Sequence, residues 1–198
     1  CARTSAGSGG KVLLLGIEDE RACRGWHGQW YLEGSAQSVV DGVCQGFRKR
    51  GLKRALMTGE GAARLADEAV SGLNRVGVLH QTTLPYSPYQ NAKQESFWGR
   101  IEGRLMPMLE GEPALTLELL NRATQAWVEQ EYHRTLHSEI GATPLARYLA
   151  GPNVRRDCPA LTALADPFRL EVPRRQRPAD GPVTLHRHRF EIPSRSHA

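Results

Sequence analysis

The chain predicts an α/β fold in which a mixed sheet is covered by helices. Three observations predict it. Val12 to Ile17 is a short continuous apolar run, as expected of a strand buried on both faces. Further short apolar runs alternate with longer stretches of helical period that start at capping residues and stop at glycines. At 198 residues and 40% hydrophobic, the chain is long enough to bury one good core with an appendage.

The elements follow in order. After the first apolar strand, Trp26 to Leu32 reads as a second, with Gly25 and Gly28 hinting at a bend or bulge. Ser35 caps a helix to Arg50 that turns Val39, Val40, Val43 and Phe47 inward and stops at Gly51. Ala55 to Met57 is a strand, Ala62 to Arg75 a helix stopped near Gly77, and Val78 to Thr83 another strand. Pro85 and Pro88 then remove backbone donors and hold the chain extended, so the next helix begins only after them, with Gln90 or Asn91 as its N-cap. In that helix Phe97, Ile101 and Leu105 recur at i, i+4 and i+8 as a buried stripe, and Lys93, Arg100 and Arg104 form a cationic face. Pro107 and the Gly111 to Pro113 turn break the chain. Thr116 caps a helix with Leu117, Leu120, Thr124, Trp127 and Val128 on one face, ending near His133; Pro144 to Leu149 is a short last helix.

Residues 151–168 read as a linker, rich in Pro and charge. Beyond them Arg169 to Arg177 and Val183 to Ile192 flank Asp180-Gly181, a hairpin signal, and suggest a small basic β-module over 169–198. Residues 1–10, small and polar, read as an irregular segment ahead of a core at 11–150.

The formal charge of +5 favours a polyanion partner. The excess concentrates in the tail, where arginines 169, 174, 175, 177, 187, 189 and 195 face Glu171, Asp180 and Glu191, a net +4. Cys1, Cys23, Cys44 and Cys158 show no C-x-x-C pairing, which points to reduced thiols used as structural filler in a cytoplasmic protein. No segment is apolar enough to cross a membrane, and the front has no apolar core of a signal peptide. His133 and His137 stand at i, i+4, but without an intervening Glu or a third ligand nearby a structural or DNA-facing role outweighs zinc.

The most informative segment is Leu84-Pro-Tyr-Ser-Pro-Tyr-Gln-Asn-Ala-Lys-Gln-Glu-Ser-Phe-Trp98. It resembles the end of the catalytic core of DDE-type bacterial transposases and retroviral-type integrases, in which a Pro-x-x-Pro-x-x-x-x-Lys-x-Glu stretch delivers the last acidic metal ligand. The likeness extends upstream through Arg50 to Thr58 and downstream through Glu131 to Pro144, with a Gly-x-x-Pro exit. It implies a ribonuclease H-like fold, Mg²⁺ as cofactor, DNA as partner, homo-oligomers on paired DNA ends, and Glu95 in the place of the third metal ligand. The cations it assigns to DNA are Lys93, Arg100 and Arg104 of the helix and Arg174, Arg175, Arg177, Arg187 and Arg189 of the tail.

The departures from the pattern bear on function. Where the resemblance implies a second acidic ligand the chain has Gly59, and 35 residues intervene between Gly59 and Glu95, the family's spacing. Glu60 is the nearest substitute, one place along and so turned to the other face of a strand. The first ligand belongs on an opening strand, which is expected ahead of residue 1, so that the core lacks its first strand; Asp19 resembles a non-ligand Asp and is a weaker candidate for the first ligand. Two-metal strand transfer needs oxygen ligands that hold two ions roughly 3.5–4 Å apart, which one carboxylate does not do. The reading is therefore a transposase- or integrase-like protein that retains DNA binding with impaired catalysis. The rivals are an active Mg-dependent nuclease or recombinase using Asp19, Glu60 and Glu95, and a non-enzymatic DNA-binding or assembly protein.

Overall fold

The structure is a computed structural model, and it describes residues 2–6, 10–58, 67–83, 92–152, 154, 156–160, 163–164, 166–169, 182–185 and 187–191. Three antiparallel strands open it: β1 (Ala2–Ala6), β2 (Gly10–Asp19) and β3 (Arg24–Tyr31), in the order β1-β2-β3. A parallel pair follows, β4 (Ala55–Thr58) with β5 (Leu79–Thr82). The helices are α1 (Ala36–Arg50), α2 (Asp67–Arg75), α3 (Ala92–Arg100), α4 (Met106–Leu109), α5 (Leu117–Gln130) and α6 (Pro144–Leu149).

Local chemistry accounts for most of these boundaries. Ser35 and Thr116 accept from the amides of Ser38 and Leu119, satisfying donors that α1 and α5 leave open. Gly51 ends α1 at φ 86°, a conformation that glycine adopts without a Cβ penalty. The bend expected near Gly25 and Gly28 is a β-bulge: Ile17 pairs with His27 and Glu18 with Gly25, leaving Trp26 unpaired. The extra residue shifts the face of the strand, so Trp26 packs on the α1 side while Trp30 packs on the α5 side.

Two apolar clusters sandwich β2 and β3. On one face Val12, Leu14 and Trp30 meet Phe97, Ile101, Leu105, Leu120, Trp127, Val128 and Tyr132. On the other Ile17 and Trp26 meet Val43, Phe47, Leu52, Leu73, Val78, Leu164 and Phe168. Thr124, polar within the α5 stripe, is fully buried because its hydroxyl accepts from Trp30 Nε1 at 2.7 Å and donates to the Leu120 carbonyl at 2.7 Å. The Asn121 amide caps the edge of β3, accepting from Trp30 N at 2.7 Å and donating to Trp30 O at 3.2 Å.

Five expectations need correction. Within the segment expected to be irregular, Ala2–Ala6 form an opening strand that pairs with Gly10–Leu14, because ladder hydrogen bonds come from the backbone and need no apolar side chains. The strands do not form one mixed sheet among the described residues but an antiparallel triplet and a parallel pair. Pro107 does not break the helix that starts at Ala92. A π-helical turn at Ile101–Leu105 carries it through to α4, where Pro107 occupies the first positions that need no amide.

The stretch 151–168 is more than a linker. Leu52 N donates to Arg156 O at 2.8 Å, the Arg156 guanidinium donates to Lys53 O at 2.6 Å and Gly77 O at 2.9 Å, and Leu164 and Phe168 are buried in the second cluster. Finally, the tail hairpin lies later than expected. β6 (Val183–Leu185) pairs with β7 (His188–Phe190), with Arg187 at φ 69° between them, while Asp180-Gly181 lies outside the described residues.

Candidate functional site

Glu95 stands in the first turn of α3 and is exposed. Phe97 anchors that helix in the core, and the N-terminal turn is tied to β2: Lys93 Nζ donates to Glu20 O at 2.8 Å and Gln94 Nε2 to Gly16 O at 3.5 Å. The cationic face expected on this helix is partly engaged within the protein. Besides the Lys93 bond, the Arg100 guanidinium lies 5.7 Å from the Tyr132 ring centroid, and Arg104 pairs with Glu131 at 3.0 Å.

At the end of β4 the last described residue is Thr58, whose hydroxyl lies 2.9 Å from His80 Nε2 on the paired strand. Gly59 and Glu60 follow outside the described residues, as do the N-cap candidates Gln90 and Asn91 and the tail cations Arg174, Arg175 and Arg177. Arg187 and Arg189 are exposed on the hairpin.

Asp19 is occupied by a structural task. Its Oδ2 accepts from Lys53 Nζ at 2.8 Å and its Oδ1 from the Ala22 amide at 3.0 Å, which closes the β2–β3 turn. Burial alone would raise this carboxyl. The Lys53 hydrogen bond and charge, with the Ala22 amide, outweigh it and hold Asp19 below the ordinary carboxylate range.

A denser constellation lies where the β2–β3 turn meets the loop after α5. Glu18 is half-buried, and the burial of its carboxyl pushes it up to about 8 against the opposing pull of Tyr132, Lys93 and Arg100. Tyr132 Oη donates to Cys23 O at 2.8 Å and lies 3.3 Å from Glu18 Oε1. Ligand atoms of Cys23, His137 and Glu139 lie within 4.8 Å of one another, the one such group of three among the described residues. His133 is separate from it: Nε2 lies 2.9 Å from Gly25 O and Nδ1 3.2 Å from Glu129 Oε2, so the two histidines do not share a site and His133 is structural. In the sequence Cys23 is a filler thiol and Glu18 a strand residue. The one legible signal was His137, two residues from Glu139; the third member is 114 positions away from that histidine.

With that geometry in place, the neighbours in structure decide the fold. A chain of the simian T-cell lymphotropic virus intasome in complex with PP2A regulatory subunit B56 gamma superposes with TM-score 0.64 at 14% identity, over 80% of this chain and 55% of that one. The catalytic core domain of HTLV-2 integrase, in complex with magnesium, gives TM-score 0.58 at 16% identity over 73% of this chain and 89% of the domain. The BIV integrase catalytic core gives 0.56 at 18% identity, over 75% and 90%. The fold is that of a retroviral integrase core. No protein-family model matches the chain, and no curated protein matches it in sequence. The chain spans about half of the intasome chain and most of the two isolated cores.

Proposed function

We propose that this is an integrase- or transposase-like protein that keeps the body of a DNA strand-transfer enzyme and its affinity for DNA, with strand cutting and joining impaired. The observation that carries the reading is Gly59, directly after β4, where the matched spacing to Glu95 calls for a metal-binding carboxylate and the residue has no side chain. Two others support it. The Ala-Arg-Thr-Ser-Ala sequence of β1 contains no acid, and Asp19 is committed to Lys53 and the β2–β3 turn. Mg²⁺ demands near-octahedral oxygen coordination, and a two-ion mechanism needs several shared carboxylates. Glu95 alone does not fit such a pair, so no step through bound magnesium is assigned to this chain.

DNA is the partner that the charge favours. In this reading Lys93, Arg100 and Arg104 on the helix and Arg174, Arg175, Arg177, Arg187 and Arg189 in the tail neutralise phosphates, and the protein associates with itself on DNA ends. No helix among the described residues is long and apolar enough to cross a membrane. The test is plasmid nicking by the purified chain in Mg²⁺ or Mn²⁺, beside a Glu95→Gln variant. Equal, background-level nicking by both is expected. Metal-dependent nicking that Glu95→Gln abolishes would overturn the impaired reading in favour of an active site built on Asp19, Glu60 and Glu95.

A further inference from the structure

We propose that Cys23, His137 and Glu139 form a zinc site that staples the β2–β3 turn to the loop after α5, independent of the strand-transfer site. The ligand atoms of the three residues already converge within 4.8 Å. A tetrahedral zinc with Zn–N and Zn–O of about 2.0–2.2 Å and Zn–S of about 2.3 Å sets its donors roughly 3.3–3.7 Å apart, so about 1 Å of closure completes the set. Glu139 is exposed and supplies that movement, whereas Cys23 and His137 are buried and fixed.

An independent observation points to a missing ligand. His137 is 4% exposed, yet its Nδ1 is buried with no hydrogen-bond partner among the described residues. An unpaired buried ring nitrogen carries a desolvation penalty that a bound cation removes. Both loops are held in advance of any ion. Cys23 sits at φ 49° with its carbonyl bonded to Tyr132, and His137 is braced by its amide to Ala142 O at 3.0 Å and by Gly141 N to its own carbonyl at 3.0 Å.

The donor set selects the metal class. A thiolate, an imidazole and one carboxylate suit zinc and are a poor match for magnesium, which takes oxygen ligands. Lys93 and Arg100 face the cluster from α3, so an incoming dication must be neutralised by its own ligands. Thiolate and carboxylate together do so. With three protein ligands the fourth position is left to water on the side of exposed Glu139.

The experiment uses the full chain, reduced, untagged and stripped with chelator, titrated with Co²⁺ as a spectroscopic stand-in and then with Zn²⁺. The expected result is a thiolate-to-cobalt charge-transfer band saturating at one equivalent and bleached by Zn²⁺. Cys23→Ser should abolish the band and Cys44→Ser should keep it. Glu139→Ala, at an exposed position where folding is not at stake, should weaken binding at least about tenfold with an unchanged circular dichroism spectrum. Absence of the band in the parent chain would overturn the proposal. So would a band that survives Cys23→Ser, one that disappears with Cys44→Ser, or Glu139→Ala binding as tightly as the parent. Tail histidines bind cobalt without a thiolate band, which separates that trivial outcome from the site.

Discussion

His27 shows what a single buried group does to the pH range in which this fold is stable. Its ring is 5% exposed between β3 and α1, and neither nitrogen has a hydrogen-bond partner among the described residues. Burial pushes its pKa down to about 4, with Lys49 and Arg50 pushing the same way and Asp41 opposing. The unfolded chain takes up this proton near pH 6.5 and the folded chain only near 4. Stability from a neutral His27 is therefore complete above pH 6.5 and drains away as pH falls to about 4, a loss on the order of 3 kcal/mol. Glu18, pushed up to about 8 in the fold, works the other way and gains stability as pH falls over the same interval, so the net slope of the parent chain is a balance and the readout is the difference between variants. Urea unfolding midpoints of His27→Leu should fall less, or rise more, towards pH 4 than those of the parent chain, with His80, His133 and His137, whose pKa values burial also lowers, contributing equally to both. An unchanged slope would mean that the ring is hydrated in solution. None of this was legible in the sequence, where His27 is one polar residue of a strand; its register opposite Ile17 sets it against α1.

At the scale of elements, the contact of α3 with β2 decides where Glu95 stands. Trp98 lies directly over Gly16, where a Cβ would run into the indole ring. The ring is rigid and packed beside Phe97 at 5.3 Å between centroids, so it cannot yield like the end of a flexible chain. Gly16→Ala should therefore lift the first turns of α3 off the sheet, stretch the Gln94 and Lys93 bonds to Gly16 and Glu20, and cost roughly 1–3 kcal/mol as overpacking. A thermal melt reads it: an unaltered melting temperature would show that the helix is not held there. The stripe on α3 and the faces of α1 and α5 were legible because periodicity and caps are local signals. The path through Pro107 was not. A proline forbids an amide hydrogen bond but not a helix, and a π turn places it where none is required. β1 escaped for a related reason: its small residues carry no apolar alternation, and only pairing with β2 makes it a strand.

Across the whole molecule, the boundary between body and tail falls later than composition suggests. Leu164 and Phe168 close the second core cluster, and the Phe168 ring fills the space that a side chain at Gly72 would occupy. Burying two such side chains is worth about 1.5–3 kcal/mol each, and sequence reasoning missed them because a strap with single apolar anchors has no period. A chain ending at Arg169 keeps these anchors and loses the six arginines at 174, 175, 177, 187, 189 and 195; a chain ending at Gly151 loses the anchors as well. The first should melt close to the full chain, and the second several degrees lower, with Leu73 and Val78 uncovered. DNA binding should divide differently. Each phosphate contact adds about 0.9 to the slope of log affinity against log salt. If the tail carries most contacts, anisotropy titrations of a labelled duplex should give the Arg169-terminated chain a slope shallower by several such steps, with the intact core still folded. A slope equal to that of the full chain would move the electrostatic contacts onto α3 and its neighbours, where Lys93, Arg100 and Arg104 would have to leave their partners within the protein to reach a phosphate.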